Sequence, residues 1–123
     1  MRSITLAAIA ALMAPGALAQ NVYVTADRLL DITTGRVTQS PAIVIQSGVI
    51  TTVGQRESVQ VPSAARVIDL PGATLLAAWR GAVKPGAFGD LVGVTGDPTQ
   101  NVTLLESPIF VMKGGDIIKA PAD

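Results

Sequence analysis

Two apolar, β-branched runs, Ala42-Ile43-Val44-Ile45-Gln46 and Val49-Ile50-Thr51-Thr52-Val53-Gly54, are separated only by Ser47-Gly48. Such runs suit a pleated, half-buried surface, and a two-residue link ending in glycine suits a type I′ turn with positive φ. A chain with this stretch must build a β-hairpin there. The same grammar recurs near the other end, where Ile109-Phe110-Val111-Met112-Lys113 meets Asp116-Ile117-Ile118-Lys119 across Gly114-Gly115. Two hairpins of this kind mark both ends of the chain as β-rich.

Between and before them the pattern stays β. Val22 to Asp27 reads as a strand that Leu29 to Ile32 continues, Thr34-Gly35 as a turn, and Val37-Thr38 as the way out before Ser40-Pro41 interrupts. Gln55 to Ser63 is polar, holds Pro62 and reads as a loop, with a frayed edge strand as the alternative. Arg66 to Leu70 is the next strand. Pro71-Gly72 is expected to end it, because proline removes a donor and glycine permits a tight turn, before Ala73 to Leu76 resumes extended structure. Lys84-Pro85-Gly86 is a turn, Phe88 to Val94 a strand weakened by glycine, and Gly96-Asp97-Pro98 another turn. Asn101 is placed to cap a short helical turn over Val102 to Leu105. Seven or eight short strands with almost no helix predict a small all-β sandwich or barrel.

The first 19 residues stand apart from this pattern. Met1-Arg2-Ser3 is a positive start, Ile4 to Met13 is apolar, Pro15-Gly16 breaks the run, and Ala17-Leu18-Ala19 supplies a small-x-small cleavage pattern. That is the layout of a secretory signal peptide, too short in its apolar core to remain as a membrane span; a buried N-terminal helix is the alternative. The expected domains are a signal peptide over 1–19 and one β domain over 20–123, about 104 residues long. Its halves are 20–76 and 81–123, with a seam at 77–80. The expected location is periplasmic or secreted.

Charge and residue usage then narrow the chemistry. Nine basic and nine acidic residues balance, and four aromatics with no Lys/Arg cluster give no footprint for nucleic acid or anionic lipid. No membrane contact is expected after signal cleavage. The chain has no cysteine and no histidine. It therefore lacks disulfides, a thiolate nucleophile, the commonest general base and the commonest transition-metal ligand.

The remaining candidates each have a plain structural reading. Asp27 and Asp31 lie near one another, and Asp69, Asp90, Asp97 and Asp116 stand at strand ends or turns. A hydrolytic carboxylate pair needs two acids held across a cleft, whereas aspartate beside Gly or Pro is ordinarily turn chemistry. A Ser or Thr nucleophile would have only Lys84, Lys113 or Lys119 as base, and none stands in a Ser-x-x-Lys arrangement. Gly86-x-x-Gly89 and Gly93-x-x-Gly96 lack the Lys-Ser/Thr and the long helix of a phosphate loop. Asn101-Val102-Thr103 fits a short glycosylation acceptor pattern, and Trp79 suits either ligand stacking or cover for apolar surface. No residue is assigned a catalytic, cofactor-binding or metal-binding role.

Two stretches read together resemble a family. The run Ala42 to Gly54 followed by Val67-Ile68-Asp69-Leu70-Pro71-Gly72-Ala73-Thr74-Leu75-Leu76 is similar to the N-terminal part of metal-dependent amidohydrolases of the imidazolonepropionase and Xaa-Pro dipeptidase-like group. Lys84 to Val92, Gly96-Asp97-Pro98 and Phe110 to Gly115 resemble their C-terminal part. The resemblance implies hydrolysis of carbon–nitrogen bonds, including amide or dipeptide-like substrates. It also implies that the two ends form a composite β-sandwich beside a (β/α)₈ barrel inserted between them, and that the barrel holds a divalent metal, usually zinc. Here Leu76 is followed by Ala77-Ala78-Trp79-Arg80 in place of the Pro-Gly and His-x-His with which that barrel begins. The expected protein is a barrel-less fragment or relic, inactive alone and with no cofactor of its own. The alternatives are a non-catalytic binding module, and a part that complements a separate barrel chain. The face a barrel would cover favours self-association or a barrel-bearing partner.

Overall fold

A computed structural model describes residues 20–78 and 82–121. The signal segment 1–19 and residues 79–81, at the end of the seam and just past it, lie outside the described residues. The eight strands are β1 (Asn21–Leu30), β2 (Val37–Gln39), β3 (Pro41–Gln46), β4 (Val49–Gln55), β5 (Arg66–Ala77), β6 (Leu91–Thr95), β7 (Phe110–Lys113) and β8 (Asp116–Lys119). A 3₁₀ turn at Val102–Glu106 is capped by Asn101, whose side chain accepts from the Thr103 amide. The all-β expectation holds.

Both hairpins form on their two-residue turns. Ser47 and Gly48 have φ of 54° and 80°, and Gly114 and Gly115 have 57° and 86°, so all four occupy the positive-φ region a type I′ turn demands. β3 and β4 pair antiparallel from Pro41–Gln55 to Gln46–Val49, and β7 and β8 from Val111–Lys119 to Lys113–Asp116.

Hydrogen bonding joins all the strands in one sheet, in the order β4-β3-β1-β5-β6-β7-β8 with β2 added to β1, rather than in two separately bonded layers. The reason lies in β5. Its first part pairs parallel with β1 from Val22–Arg66 onward, and its second part pairs antiparallel with β6 from Ala73–Thr95 to Ala77–Leu91. Pro71-Gly72 does not end the strand. Ala26 pairs with Leu70 and Arg28 with Thr74, so four residues of β5 span the space of two on β1, and the Pro-Gly becomes a bulge. Bulges increase local twist and bend the strand, which turns the sheet from its N-terminal half into its C-terminal half.

The bulge is held by side chains. Thr74, 1% exposed, donates its hydroxyl to the Gly96 carbonyl at 2.6 Å and accepts from Arg28 Nε at 2.9 Å. The Gly96 amide donates to Gly72 O at 2.7 Å. The Gly72 carbonyl, within the bulge, thereby keeps a partner.

The sheet curls until its two ends meet. The Gly89 amide donates to Gly48 O at 2.9 Å, and the Gly115 amide donates to Gly89 O at 3.0 Å. A Cβ on Gly115 would lie 2.6 Å from Gly48 Cα. The turns of the first and last hairpins therefore touch with Gly89 between them. Phe88 and Gly89 serve this closure, Phe88 through an isolated bridge to Val49. This is why the strand expected from Phe88 begins only at Leu91.

Curling encloses one core on the inner face, with Val22, Val24, Ile43, Ile45, Leu70, Leu75, Phe110 and Met112 among its members. On the outer face Tyr23, Ala42 and Val44 are covered by Val59 and Ala65 from the 56–65 connection. That connection contains no strand, and Arg56 pins its start by donating to Thr25 Oγ1 and Ala26 O, each at 2.7 Å. A polar loop thus crosses the sheet to carry the chain from β4 to β5.

Candidate functional site

A cleft of about 370 Å³ opens where β1 runs out into the Asp31–Arg36 turn. Its walls include Leu29, Val53, Ala77, Ala82 and Val83, and its charged groups are Asp31, Arg36 and Lys84. Ala77 opens the 77–80 seam and Ala82 lies just past it, so this cleft lies at the end of the sheet beside the seam.

The chemistry available there is limited by what Asp31 already does. Its Oδ1 accepts from the Thr33 amide at 2.9 Å and the Thr34 amide at 3.3 Å, forming an Asx turn. The Thr33 amide, chiefly, holds the carboxyl below the usual carboxylate range. A general acid or base at neutral pH requires the opposite shift. Asp31 is a turn residue.

Asp97 accepts from the Thr99 hydroxyl at 2.6 Å and the Thr99 amide at 2.9 Å, in a second Asx turn. Asp90 is 2% exposed and accepts from the Gly114 amide at 2.7 Å, bracing the last hairpin. Asp27 lies in β1, and its carbonyl takes the Ser40 amide. Asp69 and Asp116 are exposed on β5 and β8. Among the described residues no three Asp or Glu side chains converge as a metal-holding group.

Glycine amides are engaged as well. Gly86 donates to Ile50 O and Gly89 to Gly48 O, so the Gly86-x-x-Gly89 segment is stitched to β4 and forms no anion cradle. Gly93 lies within β6, and Gly96 donates to Gly72 O. Asn101 is exposed with its side-chain oxygen taken by the Thr103 amide and hydroxyl. Lys84, Lys113 and Lys119 are exposed, and Trp79 lies outside the described residues. Reading the sequence missed the Arg28–Thr74 and Arg56–Thr25 contacts, whose partners are 46 and 31 positions apart. No local pattern announces a pairing at that range.

The Asp97 turn gives a direct test. Its carboxyl is held low chiefly by the Thr99 hydroxyl, then by the Thr99 amide, with Arg28 adding a smaller attraction. Thr99→Ala is expected to raise the Asp97 midpoint towards the ordinary value of about 3.9, while the remaining amide keeps it somewhat low. Carbon-detected NMR titration of the carboxyl measures this. A depressed folded-state pKa contributes stability above the unfolded value, lost as pH falls through the folded value. Wild type should therefore lose more stability in acid than Thr99→Ala does.

No known protein family matches the chain, and no curated protein does. Solved structures similar to part of it include molinate hydrolase, at 25% identity over 48% of this chain and 13% of that one, with a TM-score of 0.44. Another is ochratoxinase from A. niger, at 19% identity over 47% of this chain and 14% of that one, with a TM-score of 0.37. The matched parts are a small fraction of those proteins, and no residue role is carried across.

Proposed function

We propose that this chain is the composite β part of an exported amidohydrolase-like protein, without the catalytic barrel and without hydrolase activity of its own. One observation carries the reading. β5 and β6, the strands on either side of the seam, pair directly from Ala73–Thr95 to Ala77–Leu91, so the two halves with N-terminal and C-terminal amidohydrolase character meet in one sheet. The chain between them is too short for a barrel. The metal ligands that such a barrel brings include a His-x-His pair, and the sequence contains no histidine. Among the described residues no three acids converge to supply a substitute set. Met1 to Ala19 supports export by its charge, apolar core and cleavage pattern.

The experiment is a metal and activity assay on the purified chain. After incubation with zinc and desalting, elemental analysis is expected to find no stoichiometric metal, and a panel of amide and dipeptide substrates no turnover above the blank. Bound zinc with hydrolysis of any member would overturn the proposal. N-terminal sequencing of exported material should begin at Gln20; material retaining Met1 would remove the export half of it.

A further inference from the structure

Strand β5 has neighbours on both sides only along its second half. Arg66 to Leu70 pair with β1, while β6 stands opposite β5 only from Ala73 onward. Past Thr95 the chain turns away through Gly96, at φ 80°, and does not run on beside β5. Among the described residues no strand takes the other side of Arg66–Leu70. A cleft of about 650 Å³ lies there instead, with Arg66 to Pro71 on one wall and Ile109, Ala120 and Pro121 on the other.

In a ladder, alternate residues direct their N–H and C=O groups to each neighbour, so part of this backbone faces the cleft. We propose that the cleft binds an extended peptide segment of another protein as an added strand, continuing the β5–β6 ladder across Arg66–Leu70. Strand addition draws affinity from main-chain hydrogen bonds and specificity from alternate side chains. Ile68 and Leu70 are buried on the core side and Ile109 is packed against the same core, which calls for an apolar residue at every second peptide position. Val67, 52% exposed, and Asp69 face outward, and Arg66 stands at the rim. The matching peptide places a basic residue opposite Asp69 and an acidic one opposite Arg66.

Charge also separates this occupant from a second copy of the chain. Two-fold antiparallel pairing sets each residue opposite one on the same face. Arg66 and Asp69 are three apart and lie on opposite faces, so a twin strand cannot pair them; a peptide can supply both complements.

The probe is the acetylated, amidated peptide Thr-Val-Lys-Val-Thr-Glu-Thr, added to the ¹⁵N-labelled full chain. Alternate amides within Arg66–Leu70 are expected to shift and to exchange more slowly with solvent on saturation. Asp69→Lys should weaken binding several-fold, and replacing the peptide lysine by glutamate should restore it. Unchanged exchange at the peptide's solubility limit would overturn the proposal. So would protection confined to β4 or β8, or a dimer in sedimentation whose Arg66–Leu70 amides are already slowed without peptide.

Discussion

Replacing Gly115 by alanine is expected to lower stability by about 3 kcal/mol. Two costs combine. The residue sits at φ 86°, where an L side chain costs roughly 1–2 kcal/mol. Its new Cβ would also lie 2.6 Å from Gly48 Cα and 3.2 Å from Gly48 N, so backbone has to move, and overpacking of that kind costs ~1–3 kcal/mol. Gly86→Ala is the control, because Gly86 has φ 90° and no atom within 4 Å of the added carbon. It should lose only the conformational part, about 1 kcal/mol. Urea midpoints of the two variants separate the terms. Equal losses would mean that the contact between the hairpins does not hold the sheet closed.

Phe110→Ala should cost about 3–5 kcal/mol, a large share of the ~5–15 kcal/mol that holds a domain together. The ring is fully buried and is the largest such side chain among the described residues. It belongs to the C-terminal half yet packs in the same cluster as Val22, Ile43 and Leu70 from the N-terminal half. Opposite it on β6 stands Gly93, where a Cβ would come 3.2 Å from Phe110 Cβ and 3.1 Å from Leu70 Cδ1. The glycine that weakens the pattern of β6 is there to admit these neighbours. Removing the ring leaves a void whose lining comes from both halves, so calorimetry should show one lowered transition. Two separate transitions would mean that the halves fold independently.

Much of the fold was legible in short stretches. Ser47-Gly48 and Gly114-Gly115 declared their turns because few residues tolerate positive φ, and Asn101 declared its cap because its side chain bonds two residues ahead. Pro71-Gly72 misled for a related reason. Proline and glycine usually stop a strand, but β1 on one side and β6 near the other keep β5 extended, and Arg28 and Thr74 hold the bulge. The Phe88 segment misled because Phe88 bridges to Val49 and Gly89 bonds to Gly48, partners far away in the chain.

For the site, the sequence by itself determined the exclusions: a chain without histidine or cysteine has no thiolate and no imidazole, whatever its fold. It also determined the all-β character, since turn chemistry and β-branched runs act over two to six residues. Only the tertiary structure decided that eight strands share one curled sheet, that its hairpin turns close on three glycines, and that Arg66–Leu70 keeps an open edge. Those features depend on where distant strands meet, and such meetings are set by packing and sheet twist rather than by any local run of residues.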